Sequence, residues 1–172
     1  MKSLNIYIIV LLVSTVFSCS NSSKSTPSTP APDSDANNKN YLTMKINGQD
    51  WIADNEIFAA FHPKGYNNAI IIAGNKGKKD KDQQSFNLNL FNTNGPATFN
   101  IKDGNKDFNV VQFGALSADN YLCGSMMGFD MKVIVTKASG TPDIVEATFE
   151  GKMTCSSGEI LNITNGKFYY HE

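Results

Sequence analysis

The stretch Val145-Glu-Ala-Thr-Phe-Glu-Gly-Lys-Met-Thr-Cys155 decides the fold class. Val145, Ala147, Phe149, Met153 and Cys155 share one parity. Glu146, Thr148, Glu150, Lys152 and Thr154 share the other. Successive side chains of a strand point to opposite faces. The stretch is therefore a strand with an apolar face on a core and a charged face in water. Working backwards, Met131, Val133 and Val135 repeat the pattern. Forwards, Ile160 to Tyr170 does so with a defect: its apolar parity shifts between Ile163 and Phe168, and Asn165-Gly166 lies between, which predicts a bulge.

The same reading extends to the start of the domain. Leu42, Met44 and Ile46 alternate in Tyr41 to Ile46, and Asn47-Gly48 follows, a strong hairpin signal. Trp51 to Ala53 and Ile57 to Phe61 come next. Ala69 to Ala73 is a continuous apolar, β-branched run, as in a central strand. Ser85 to Leu90 alternates with Phe86, Leu88 and Leu90 inward. Thr98 to Ile101, Val110 to Ala115 and Tyr121 to Cys123 are shorter candidates. No window sustains a helical period. Nine or ten short strands between turn signals predict an all-β domain over 41–172, an antiparallel β-sandwich of jelly-roll type. A lipocalin-like β-barrel is the alternative.

Residues 1–40 have a different character. Met1-Lys2 is a positive start, and Ile6 to Phe17 is an apolar run too short to span a bilayer. Val16-Phe17-Ser18-Cys19 resembles the lipobox of bacterial lipoproteins: an aliphatic residue three before the cysteine, a small one just before it, then the Cys. The resemblance implies a signal peptide over 1–18 and a diacylglyceryl group on Cys19, which becomes the acylated first residue. Multiple acyl chains anchor stably, at about 0.8 kcal/mol per buried CH₂. The Ser/Thr/Pro-rich segment to residue 40 has almost nothing to bury and reads as a disordered tether. Its reach is about 25 Å as a coil and roughly 60 Å as polyproline II. Ser20 replaces the Asp that retains many lipoproteins at the inner membrane, so the outer membrane is expected. Ser20 to Lys24 lacks the acidic cluster of many surface-exported lipoproteins, which favours the periplasmic leaflet over the cell surface.

The remaining cysteines, Cys123 and Cys155, form an even pair in an oxidising envelope and predict a disulfide. Cys155 is on the inward parity of its strand, which puts the bridge beside the core. Two buried free thiols are the alternative.

The opening Ile46-Asn47-Gly48-x-x-Trp51 and the closing Ile163-Thr164-Asn165-Gly166-Lys167-Phe168, with strands Met131 to Thr136 and Val145 to Gly151 before it, resemble an uncharacterised family of Bacteroidota envelope lipoproteins. The resemblance covers about Lys45 to Phe168. It implies an all-β lipoprotein and carries over no activity or catalytic residue.

Signatures of chemistry are sparse. The chain has 15 basic residues, all Lys, against 16 acidic ones, for a formal net charge of −1. Such balance gives no long-range field for nucleic acid, and the absence of Arg removes the usual bidentate phosphate clamp. His62 and His171 are isolated, and no HExxH or CxxC pattern exists. Gly74 to Lys79 lacks the phosphate-loop spacing and reads with Asp80 to Asp82 as a solvated hairpin tip. Asp103-Gly-Asn105-Lys-Asp107 starts like a calcium loop, but Phe108 stands where an EF-hand needs Gly and Gly114 where it needs Glu. An Asp-Gly turn is expected there, with a calcium site of another kind as the alternative. Trp51 reads as core beside its hairpin. Phe61, Tyr66 and Tyr121, near loops, are the candidate contact surface.

These readings point to a lipid-anchored, non-enzymatic envelope domain without cofactor or metal. It would bind an envelope protein or glycan and no nucleic acid. A lipocalin-like carrier of a small apolar ligand and a hydrolase with a carboxylate site formed only in space are the alternatives.

Overall fold

A computed structural model describes residues 39–65, 68–115 and 122–172. Eleven strands run through the described residues: β1 (Tyr41–Ile46), β2 (Gln49–Ile52), β3 (Asn55–Phe61), β4 (Ile70–Lys76), β5 (Gln84–Leu90), β6 (Ala97–Lys102), β7 (Val110–Ala115), β8 (Leu122–Gly124), β9 (Phe129–Ser139), β10 (Ile144–Thr154) and β11 (Ile160–His171). They form two antiparallel sheets. One has six strands in the order β2-β1-β11-β10-β9-β6, and the other has five in the order β3-β4-β5-β7-β8. The sheets pack face to face as a sandwich and do not close into a barrel, so the lipocalin-like alternative is not the fold. A barrel would need each sheet's edge strands paired. Here β2 and β6 end one ladder and β3 and β8 the other.

The period-2 pattern drives this arrangement. In β10, Val145, Ala147, Phe149 and Met153 are buried while Glu146, Thr148, Glu150 and Lys152 are exposed. In β5, Phe86, Leu88 and Leu90 are buried, and Ile70 and Ile72 of β4 join them. Phe86 stacks on Phe149 with ring centroids 5.1 Å apart, tying the two inner faces together. Each fully buried large apolar side chain contributes roughly 1.5–3 kcal/mol, so the core is the main source of stability. β4 lies inside its sheet, between β3 and β5, as its apolar run predicts.

Two turn readings hold in detail. Asn47 and Gly48 both have positive φ, 49° and 82°, and form the two-residue loop between β1 and β2. That is the backbone a primed hairpin turn requires. In β11, Phe149 pairs with Gly166 but Gly151 pairs with Ile163, so Thr164 and Asn165 share the space opposite Glu150. Asn165 takes φ 54°, and the bulge restores Phe168 to the core. One reading needs correction. Gly74 to Lys76 belongs to β4, with Gly74 buried, so the exposed tip is confined to the residues after Lys76. Gly74 lies against Leu42 of the other sheet, where its lack of a Cβ permits the approach.

The Cys123–Cys155 disulfide forms, with the Cα atoms 3.8 Å apart. Cys123 belongs to β8 and Cys155 follows β10, so the bridge joins the two sheets, and both residues are buried. Ser156 N–H donates to Leu122 O at 2.8 Å beside it.

Candidate functional site

A cleft opens where three hairpins meet. The Asn47-Gly48 turn brings in β1 and β2, the β4–β5 hairpin brings in Lys76 and Gln84, and the β10–β11 turn brings in Ser157 and Glu159. The cleft between them has a volume of about 630 Å³. Ile46, Trp51, Phe113 and Leu161 supply its apolar lining. Asn47, Gln49, Asp50, Lys76, Gln84, Ser157 and Glu159 supply the polar one.

The floor is fixed. Trp51 is buried, as its place beside the hairpin predicts, and its indole N–H donates to Gln84 Oε1 at 2.8 Å. Phe113 meets the indole edge to face, with centroids 5.8 Å apart. Gln84 has the inward parity of β5, so an amide stands at the strand end where the core gives way to the cleft. The rim is also braced. Asn47 Oδ1 accepts from Asn162 N–H at 2.8 Å, which docks the β1–β2 hairpin on β11. Asn47 Nδ2 donates to Glu159 Oε1 at 3.4 Å, and Lys45 Nζ lies 2.6 Å from Asp50 Oδ1. The Ile46-Asn47-Gly48-x-x-Trp51 motif thus builds one wall of the cleft, through turn, brace and floor. The arrangement suits binding of a small amphipathic group: an apolar base and a ring of hydrogen-bonding side chains.

Other residues singled out by sequence lie elsewhere. Cys19, the 1–18 signal and most of the tether are outside the described residues, as are Tyr66 and Tyr121. Phe61 is half-buried against the core. It stacks on His62 at 3.8 Å, and its N–H donates to Asp143 Oδ1. Its ring is used in packing rather than displayed. The two histidines are half-buried rather than fully at the surface. His62 Nε2 is 3.0 Å from Thr93 O, and His171 N–H donates to Asn40 Oδ1. In the 103–107 segment, Asn105 Nδ2 donates to the carbonyls of Lys102 and Asn109, and Asn105 Oδ1 accepts from Asn109 N–H. The loop is an amide-stapled turn. No cluster of three or more His, Cys, Asp or Glu side chains suited to a metal occurs among the described residues.

Two features had weaker sequence signals. Glu56 sits at positive φ in β3 and is held below the usual carboxylate range by Lys79, whose Nζ is 2.9 Å away, and by Asn75. Phe108 and Met126 are the most exposed large apolar residues described, at 79% and 81%, on the β6–β7 loop and the β8–β9 turn.

No family model matches this chain, and no curated protein or solved structure matches it.

Proposed function

We propose that the protein is a lipid-anchored envelope module that works by binding and has no turnover, with the three-hairpin cleft as its docking site. The observation that carries this reading is the cleft's construction. Its floor is locked by the Trp51–Gln84 hydrogen bond and the Phe113 contact, while its rim offers amides and a hydroxyl. A pre-formed site loses less entropy on binding. Asp50 and Glu159, the cleft carboxylates, stand on different hairpins, each with its own partner, Lys45 and Asn47. They serve the rim's shape in this reading rather than acid–base chemistry.

Lipidation at Cys19, a place at the outer membrane facing the periplasm, and an envelope protein or glycan as partner follow from the lipobox, Ser20 and the tether. Confinement to one surface raises effective concentration, so modest affinity suffices. The carrier alternative loses its scaffold, since the two sheets do not close into a barrel.

The test is site-specific photo-crosslinking in intact cells. A crosslinker at Gln49, on the rim, is expected to give a discrete adduct, and one at Glu146, on the charged sheet face, none. Purified protein is expected to leave ester, glycoside and phosphate substrates unchanged. Reproducible turnover, abolished by Asp50→Asn or Glu159→Gln in a folded protein, would replace this reading with a hydrolase.

A further inference from the structure

Lys76 is a cation on the core-facing side of a strand. The inward positions of β4 are Ile70, Ile72, Gly74 and Lys76, and the first three are buried. Lys76 ends the row half-buried, opposite Gln84 in the register, and lines the cleft with it. Among the described residues it makes no ion pair and no hydrogen bond. The contrast lies on the hairpin tip that follows, where Lys79 and Lys81 stand in water and still pair with Glu56 and Asp82. An inward charge can blunt the edge of a sheet, but β4 is paired on both sides, with β3 and β5, and has no edge to protect.

The other charges of the cleft leave Lys76 uncompensated. Asp50 is held by Lys45 at 2.6 Å. Glu159 is exposed and accepts from Asn47 Nδ2. A partly desolvated ammonium without a counter-ion is the group in this cleft with most to gain from an arriving anion.

We infer that the cleft takes the C-terminal end of a partner protein's chain, with the terminal carboxylate against Lys76 and an apolar last side chain on the floor of Trp51 and Phe113. This rests on the reading of the cleft as a docking site and names what docks there. One uncompensated cation answers one carboxylate. The apolar floor answers one side chain. The rim amides of Asn47 and Gln49 each offer donors and an acceptor, as a peptide group requires. A volume of about 630 Å³ admits the last few residues of a chain rather than a folded surface. Capture of a chain-terminal carboxylate is a recurrent mode of peptide recognition. A neutral glycan would leave Lys76 without its counter-ion. A phosphate dianion would meet the like charges of Asp50 and Glu159, which disfavour it.

The experiment is an array of peptides with the last four positions varied, each displayed once with a free C-terminal carboxylate and once as the C-terminal amide. It is probed with the full-length protein as expressed and processed by a bacterial host, and bound sequences are measured by fluorescence polarisation. Free-carboxylate peptides ending in an apolar residue are expected to bind, and their amides at least tenfold more weakly. Lys76→Met keeps the stem, removes the charge and should weaken binding at least tenfold, whereas Lys76→Arg should retain most of it. Lys152→Met removes a charge from the solvated face of β10 and should bind as the wild type does. Circular dichroism monitors the fold of each variant. The comparison of acid with amide needs no variant and decides the matter even if a substitution unfolds the chain. Absence of any bound peptide, equal binding of acid and amide, or binding unchanged in folded Lys76→Met would overturn the inference. So would 4-phenylbutyrate binding as tightly as the peptides, which would assign the cleft to a small free carboxylate. The crosslink at Gln49 reports on docking by itself. An adduct that persists in Lys76→Met while no peptide binds overturns the carboxylate and leaves the docking site standing; no adduct and no bound peptide removes both.

Discussion

Gly166 lies directly against the ring of Phe149. A Cβ at Gly166 would fall 2.4 Å from Phe149 Cδ2 and 2.5 Å from the Phe149 carbonyl oxygen. Phe149 in turn stacks on Phe86 of the other sheet. The glycine of the closing Asn-Gly pair is therefore required by contact. Gly166→Ala should force Phe149 off its partner, with an overpacking cost of about 1–3 kcal/mol or more. Urea unfolding should show the midpoint fall with little change in slope. An unchanged midpoint would mean that the Phe149 ring has room to move.

The Cys123–Cys155 bridge joins the two sheets at a sequence separation of 32 residues. Cross-linking a loop of that length restricts the unfolded chain by roughly 3–4 kcal/mol on the entropy model. The double variant Cys123→Ser, Cys155→Ser should lose stability on that scale in guanidinium unfolding. Adding reductant to the wild type should reproduce the loss and leave the variant unchanged.

Much of the fold was legible because its strands follow one period. Val145 to Cys155 alternates between apolar and charged residues, and the Asn165-Gly166 bulge announced itself as a parity shift. Legibility failed where the backbone departs from that period. In β3 the positive φ of Glu56 accompanies a register shift between Asn55 and Phe58, so parity there does not report the face. Eleven strands form among the described residues against an expected nine or ten, and the short β2 and β8 overlap the Trp51 to Ala53 and Tyr121 to Cys123 candidates. The cleft was not legible, since Trp51, Gln84 and Glu159 meet only when three distant hairpins converge.

Tyr41 should report on the alkaline stability of the domain. Its ring stacks on Tyr169 at 5.9 Å. Partial burial pushes its pKa above the usual phenol value, helped by the charges of Glu146 and of Tyr169 when ionised. The fold thus prefers the neutral phenol. This contribution is fully present below the unfolded phenol pKa, about 10, and is lost as pH rises through the higher folded value. Phenolate absorbance should show Tyr41 ionising late, and Glu146→Gln should bring it earlier. Tyr41→Phe should flatten the decline in stability above about pH 10. An identical decline in that variant would rule out Tyr41 as its source.

The proposed anchor makes a direct prediction about location. If Cys19 carries the lipid, the wild type should sediment with membranes and resist salt extraction, since acyl burial does not depend on ionic strength. Cys19→Ala should shift the protein to the soluble fraction once its signal is removed. Mass spectrometry of the wild-type N-terminal peptide should find the acyl groups on Cys19. A soluble wild type, or a membrane-bound and processed Ala variant, would exclude the anchor.

The Trp51–Gln84 hydrogen bond separates what the cleft does for folding from what it does for binding. Gln84→Met removes the acceptor at 2.8 Å while keeping much of the side chain's length. The indole N–H then lacks that partner, at a cost of about 1–3 kcal/mol. Thermal unfolding should register that loss, and tryptophan fluorescence should register the altered surroundings of Trp51, the chain's only Trp. Gln49→Ala, on the exposed rim, should leave stability within about 0.5 kcal/mol of wild type. The two variants should therefore part ways. Gln84→Met disturbs the floor and should weaken both stability and the crosslink formed at Gln49, whereas Gln49→Ala should spare stability. If Gln84→Met loses stability but leaves the crosslink intact, the locked floor serves the core alone and ligand recognition belongs to the rim.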